Sequence, residues 1–140
     1  MEAKAIWQGD MAFTGTADTG FEVRMDASET SGGHNSGFRP MELLAMGTAG
    51  CTGMDVISIL RKKRAEVKGF EVRVHVDQAE TYPHVFTKMQ IEYVVTGHNI
   101  KRDDVERAVE LSKEKYCPGI AMFKQVMEMD YIITIQEAEA

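Results

Sequence analysis

The chain has 140 residues, 44% of them hydrophobic and 27% charged, the size and balance of a single globular domain spanning residues 1–140. With 22 acidic against 16 basic residues the formal charge is −6, which opposes the basic surface that phosphate neutralisation requires, so no nucleic-acid partner is expected. No charged segment followed by an apolar run opens the chain. The least polar stretch, Leu43 to Met54, is too short for a membrane span and is bounded by Glu42 and Asp55, so a cytoplasmic protein with no membrane contact is expected.

Ala3 to Trp7, the turn signal Gly9-Asp10 and Met11 to Thr16 predict an opening pair of short strands. In the next strand alternation sets Phe21, Val23 and Met25 on one face and Glu22, Arg24 and Asp26 on the other. Residues 27–37, rich in Gly and Ser, bury too little apolar area to order themselves and predict a mobile loop. Pro40 marks the start of a long helix over about residues 40–63, which ends on Arg61-Lys62-Lys63-Arg64, cations suited to a helix C-terminus. Its centre carries Gly47, Gly50 and Gly53 around Cys51, each costing about 1 kcal/mol relative to alanine. Such small residues imply close packing of another element on the helix, with Cys51 deep inside.

Two alternating stretches, Phe70 to Val76 and Val85 to Val95, joined through Tyr82-Pro83-His84, predict a long hairpin; Val85, Thr87, Met89, Ile91, Tyr93 and Val95 share one face of its second strand. Asp103 with Glu106 has capping-box spacing, and Val105, Ala108, Val109, Ser112 and Tyr116 line one side of the helix that follows. Cys117-Pro118 matches an N-cap and first helical proline, so a short helix is expected to Phe123. A last strand places Met127, Met129, Tyr131, Ile133 and Ile135 inward. The order β-β-β-α-β-β-α-α-β indicates an α+β domain.

The two cysteines are far apart in sequence and form neither a CxxC motif nor a local zinc knuckle. Each is either an inert buried side chain or a redox or metal-binding group. From local position alone Cys117 has the clearer activation, at a helix N-terminus near Lys113 and Lys115, whereas Asp55 lies one helical turn from Cys51 and disfavours a thiolate there. Metal ligation is not expected, because His34, His75, His84 and His98 are scattered over a loop, a strand, a turn and a helix start.

Trp7-Gln8-Gly9-Asp10, Gly20-Phe21-Glu22-Val23-Arg24, Arg39-Pro40-Met41-Glu42-Leu43-Leu44 running into Ala49-Gly50-Cys51, and Lys115-Tyr116-Cys117-Pro118 resemble, in order, the motifs of the OsmC/Ohr family of hydroperoxide-reducing proteins. The resemblance covers most of the chain. It implies the OsmC/Ohr α+β fold in an intertwined homodimer, with active sites at the subunit interface. It also implies that Cys51 is attacked by peroxide and that Cys117 resolves it, which reverses the ranking from helix position. On this chemistry a Cys51 sulfenic acid condenses with Cys117 to a disulfide. A lipoyl group, another dithiol or a small thiol then reduces that disulfide, with no bound cofactor. Arg24 matches the family's arginine, which stabilises the thiolate and orients the peroxide; read by itself it is an arginine on the polar face of a strand.

The family's peroxidases carry a glutamate directly after the proline of the cysteine helix, where this chain has Met41 and then Glu42, displaced by about 100° around a helix. Glu42 is the candidate for that role, and the departure makes the chain resemble the less characterised OsmC-like branch. Met41, Met46, Met54 and Met122 lie near the cysteines and either line an adaptable apolar pocket for an organic hydroperoxide or fill core. Three functions compete: a thiol peroxidase, a non-catalytic protein binding an apolar or thiol-containing ligand at the dimer interface, and a structural protein with inert cysteines.

Overall fold

A computed structural model describes Met1 to Ala140. The chain forms two compact units, Met1–Leu44 and Ala45–Ala140. The elements are β1 (Ala3–Trp7), β2 (Phe13–Ala17), β3 (Glu22–Met25), α1 (Pro40–Lys62), β4 (Glu66–Gln78), β5 (Phe86–His98), α2 (Arg102–Leu111), α3 (Pro118–Phe123) and β6 (Glu128–Glu137). This is the expected α+β order, with a 3-10 turn at Glu29–Ser31 and a π-helical turn at Ser112–Tyr116 as additions.

In the first unit β1, β2 and β3 form an antiparallel sheet in that order. Gly9 and Asp10 both take positive φ (100° and 46°), which turns the chain tightly between β1 and β2. Phe21, placed by alternation on the face of Val23 and Met25, is 83% exposed and lies just before β3, which begins at Glu22. Asp26, assigned from alternation to the polar face, is 3% exposed. Its carboxylate accepts hydrogen bonds from the N–H groups of Ala27 (2.7 Å), His34 (3.0 Å) and Ser36 (3.1 Å) and from Ser36 Oγ (2.6 Å). The loop expected to be mobile is therefore ordered by a buried anion rather than by apolar burial. The wrap is tight enough that a Cβ on Gly33 would fall 2.1 Å from the Ala27 carbonyl oxygen.

The second unit is built on a sheet of order β4-β5-β6, with β4 and β5 antiparallel and β6 parallel to β5. α2 and α3 lie in the connection between the two parallel strands, as such a crossover requires. Within α1, Thr48, Thr52, Val56 and Leu60 are buried, a stripe repeating every fourth residue. Val56 and Leu60 enter the same core cluster as Met89, Ile91, Tyr93, Val95, Val105, Val109 and Ile120. Full burial of each aliphatic side chain there contributes about 1.5–3 kcal/mol. α1 is long and apolar enough to cross a membrane by length and composition; its buried stripe packs on the core of the unit, while 22% of its most apolar window is buried on the single chain.

The glycine expectation holds for one position of three. A Cβ on Gly53 would meet Val72 Cγ2 at 3.2 Å, so β4 approaches the helix closely there, whereas nothing lies within 4 Å of Gly47 or Gly50. Cys51 is accordingly only partly buried, not deep. On β5 the inner face carries Phe86, while Val85 and Thr87 are exposed. A register shift between Asp77 and Gln78 moves the pairing by one residue at that end, and one residue reverses which face a side chain occupies.

α2 starts at Arg102 with Lys101 as N-cap and no side-chain cap; Glu106 pairs with Arg102 at 2.9 Å, so the expected Asp103 capping box does not form. Val105, Ala108, Val109 and Ser112 are buried as expected, but Tyr116 is 50% exposed. The π-helical turn from Ser112 to Tyr116 widens the last turn and carries Tyr116 off the buried face.

Candidate active site

The site is set by two helix positions in the second unit. Cys51 lies in the middle of α1, one residue before the buried Thr52. Cys117 is the N-cap of α3, with Pro118 at the first helical position, and its Sγ accepts from the Ile120 N–H at 3.4 Å. The π-helical turn delivers Cys117 to this place, since the Cys117 N–H bonds back to the Ser112 carbonyl at 2.9 Å. The two sulfurs, 66 residues apart in the chain, stand 3.2 Å from each other, with the Cys117 thiol donating to Cys51 Sγ.

The two thiols have different surroundings. Cys117 is 2% exposed, and burial pushes it up to about 11; the Ile120 N–H opposes that, and the neighbouring Cys51 sulfur adds to it. Cys117 is thus a protonated donor at neutral pH, and Cys51 is the acceptor on the more open side. Burial, reinforced by Glu114 and Cys117, likewise pushes Tyr131 up to about 12, and Lys113 Nζ sits 4.3 Å from the centre of its ring.

Beside the sulfurs runs a polar line that sequence periodicity did not mark as functional. Thr52 Oγ1 lies 2.8 Å from Tyr93 OH and 2.7 Å from Ser112 Oγ, and Ser112 Oγ donates to Asp55 Oδ2 at 2.9 Å. The available signal is the hydroxyl at Thr52 within the four-residue stripe of α1, together with Ser112 on the apolar face of α2.

Residues 33–131 match the family model described as OsmC-like protein. The chain belongs to the OsmC-like family. Protein YhfA of Escherichia coli K12 is 34% identical over 134 residues, which cover 94% of this chain and 95% of that protein. A hypothetical protein from Aquifex aeolicus VF5 has a crystal structure 30% identical in sequence, with a TM-score of 0.86 over 99% of this chain and 97% of its own. An organic hydroperoxide resistance protein OsmC from Legionella pneumophila shares the fold at a TM-score of 0.69 and 16% identity, over 95% of each chain.

Of the positions singled out by the OsmC/Ohr resemblance, the structure brings Cys51 and Cys117 together. Arg24 is on β3 in the first unit, where its Nε donates to Ser36 Oγ at 3.0 Å. Glu42, in the first turn of α1, reaches back to accept the Arg39 N–H at 2.7 Å, the helix-capping half of a capping box. That local bond gives Glu42 a structural task that its place in an OsmC-like motif did not disclose. Met41, Met54 and Met122 are all exposed on the chain, Met54 to 74% and Met122 to 65%.

Proposed function

We propose that the protein is a thiol-dependent peroxidase that reduces organic hydroperoxides. The observation that carries this reading is the 3.2 Å approach of two free thiols, with Cys117 protonated and donating to Cys51. In the first step the Cys51 thiolate attacks the distal peroxide oxygen; the O–O bond breaks, Cys51 becomes a sulfenic acid, and the alkoxide leaves and is protonated to the alcohol. In the second step the Cys117 sulfur attacks the sulfenic sulfur. The S–S bond forms, and the sulfenic hydroxyl leaves as water with the Cys117 proton. A dithiol such as a lipoyl group, or a small thiol, returns the disulfide to two thiols by exchange.

In this reading Arg24 takes the role of the family's arginine, which stabilises a thiolate and orients the peroxide, and Glu42 is the candidate for the family's glutamate. Met41, Met54 and Met122 are assigned to the apolar surface that receives the organic group; thioether side chains adapt to varied shapes. The working form is a cytoplasmic homodimer. The α1 face carrying Met46, Gly47, Gly50 and Met54, exposed on the single chain, is suited to cover by a second copy. A second reading is favoured by the engagement of Glu42 as a helix cap: a non-catalytic protein binding an apolar or thiol-containing metabolite at the same interface.

Mass spectrometry after treatment with tert-butyl hydroperoxide separates the two. The peroxidase forms an intrachain Cys51–Cys117 disulfide, and Cys51→Ser abolishes peroxide consumption. Should Cys51 stay reduced, or Cys51→Ser consume peroxide at the original rate, the enzyme reading is lost.

A further inference from the structure

The polar line beside the cysteines has a single direction. The Asp55 carboxylate only accepts, so Ser112 must give it its one proton. Ser112 Oγ can then only accept from Thr52, and Thr52 Oγ1 can then only accept from Tyr93 OH. The order Tyr93 to Thr52 to Ser112 to Asp55 uses every hydroxyl proton once and ends on a charge. Tyr93, Thr52 and Ser112 are all fully buried, and in such surroundings each bond polarises the next. Burial holds Tyr93 far above the usual phenol range, so it remains the donor at the head of the line.

The two middle members occupy backbone positions tied to the two sulfurs. Thr52 follows Cys51 directly in α1, and Ser112 opens the π-helical turn and accepts the Cys117 N–H on its carbonyl at 2.9 Å. The Thr52–Ser112 hydrogen bond at 2.7 Å therefore fastens the helix carrying one sulfur to the turn presenting the other. A π-helical turn is a less regular structure than the helix around it and needs such a fastening to hold one register.

We propose that Tyr93, Thr52, Ser112 and Asp55 are positioning residues for disulfide closure, setting how often the Cys117 sulfur stands within reach of Cys51. Asp55 is then the anchor of this line as well as a charge one helical turn from Cys51. The proposal rests on the peroxidase reading for its biological use, but the geometry it concerns is testable with any oxidant of thiols.

The test uses Thr52→Val, which keeps the shape and removes the hydroxyl, with Thr52→Ser as the conservative control that restores it. Diamide, an azo oxidant, takes two electrons and two protons from the thiol pair and so closes the disulfide without peroxide. The equilibrium of the closed pair with a glutathione buffer then gives the effective concentration of one thiol at the other. Thr52→Val is expected to lower that equilibrium constant about tenfold or more, and Thr52→Ser to bring it back to within about twofold of the original. With tert-butyl hydroperoxide, dimedone capture of the Cys51 sulfenic acid should rise in Thr52→Val, while the rate of its formation stays the same. An unchanged glutathione equilibrium in a folded Thr52→Val chain overturns the proposal, even if melting is lowered. A chain that closes with diamide and shows the Thr52 effect but ignores hydroperoxide upholds it and sinks only the peroxidase reading.

Discussion

Oxidation of the cysteine pair should stabilise the fold, and the size of the effect follows from the chain. Joining Cys51 to Cys117 closes a loop across a separation of 66 residues. The entropy removed from the unfolded chain by a loop of that length corresponds to about 4 kcal/mol at room temperature. To reach bonding distance the sulfurs need to move together by only roughly 1.2 Å from their 3.2 Å separation. A gain of that size raises the melting temperature by about 14 °C for a chain of this length. By linkage it also makes the disulfide about 90 mV harder to reduce in the folded than in the unfolded chain. The assay is urea unfolding of fully reduced and diamide-closed protein, with the intrachain link verified by mass spectrometry. Cross-linked protein with a midpoint equal to or below that of the reduced form would refute the reasoning, since closure would then strain the native site by as much as it constrains the unfolded chain.

Hydrogen bonding from Ser36, then from the surrounding backbone N–H groups, holds Asp26 well below the usual carboxylate range. The unfolded chain therefore takes up the proton first as pH falls. The stability Asp26 contributes is full above about pH 4 and is lost as pH drops towards the lower folded value, so Asp26→Asn should flatten the acid limb of urea midpoints measured from pH 5 to pH 2. Cys117 carries the opposite sign of dependence: with its folded value pushed up to about 11, the unfolded chain deprotonates first, and stability should decline as pH rises from about 9 towards 11. In Cys51→Ser protein, iodoacetamide should label Cys117 slowly at pH 8 and markedly faster as pH approaches 11; rapid labelling at pH 8 would contradict the burial argument. Gly97→Ala would put a Cβ 2.2 Å from the Glu66 carbonyl oxygen, and relieving that backbone clash between β4 and β5 should cost about 2–3 kcal/mol in urea unfolding.

The elements whose signals are local could be read from residue order alone. Cys117-Pro118 as N-cap and first helical residue, the span of α1 from Pro40, and the inward set Met129, Tyr131, Ile133 and Ile135 on β6 are all set by neighbours within a few positions. Features that depend on long-range pairing were not legible. The β4–β5 register shift that turns Val85 outward is decided by the partner strand. The burial of Asp26 is decided by a loop folding back onto it. The π-helical turn that exposes Tyr116 breaks the 3.6-residue period on which its inward placement rested. The pairing of the two sulfurs came from family resemblance, because no spacing rule joins residues so far apart in the chain.

Local position marked Cys117 as the better activated cysteine, but its surroundings oppose that activation, and magnitudes show why. A helix N-terminus offers a charge about 0.3–1 kcal/mol, less than the 1.4 kcal/mol or so that equals one pKa unit. At Cys117 this is expressed through the N–H of Ile120, 3.4 Å from the sulfur, and that of Gly119. Burial outweighs it and leaves the thiol at about 11. A sulfur in that state is a poor first nucleophile. On the proposed peroxidase reading, its proton leaves with the hydroxyl of a Cys51 sulfenic acid as water, and the 3.2 Å between the sulfurs brings the attacking atom close. On that same proposed reading, the burial that raises Cys117 also keeps it from contact with peroxide, and the more open Cys51, which accepts its hydrogen bond, is the sulfur offered to a hydroperoxide.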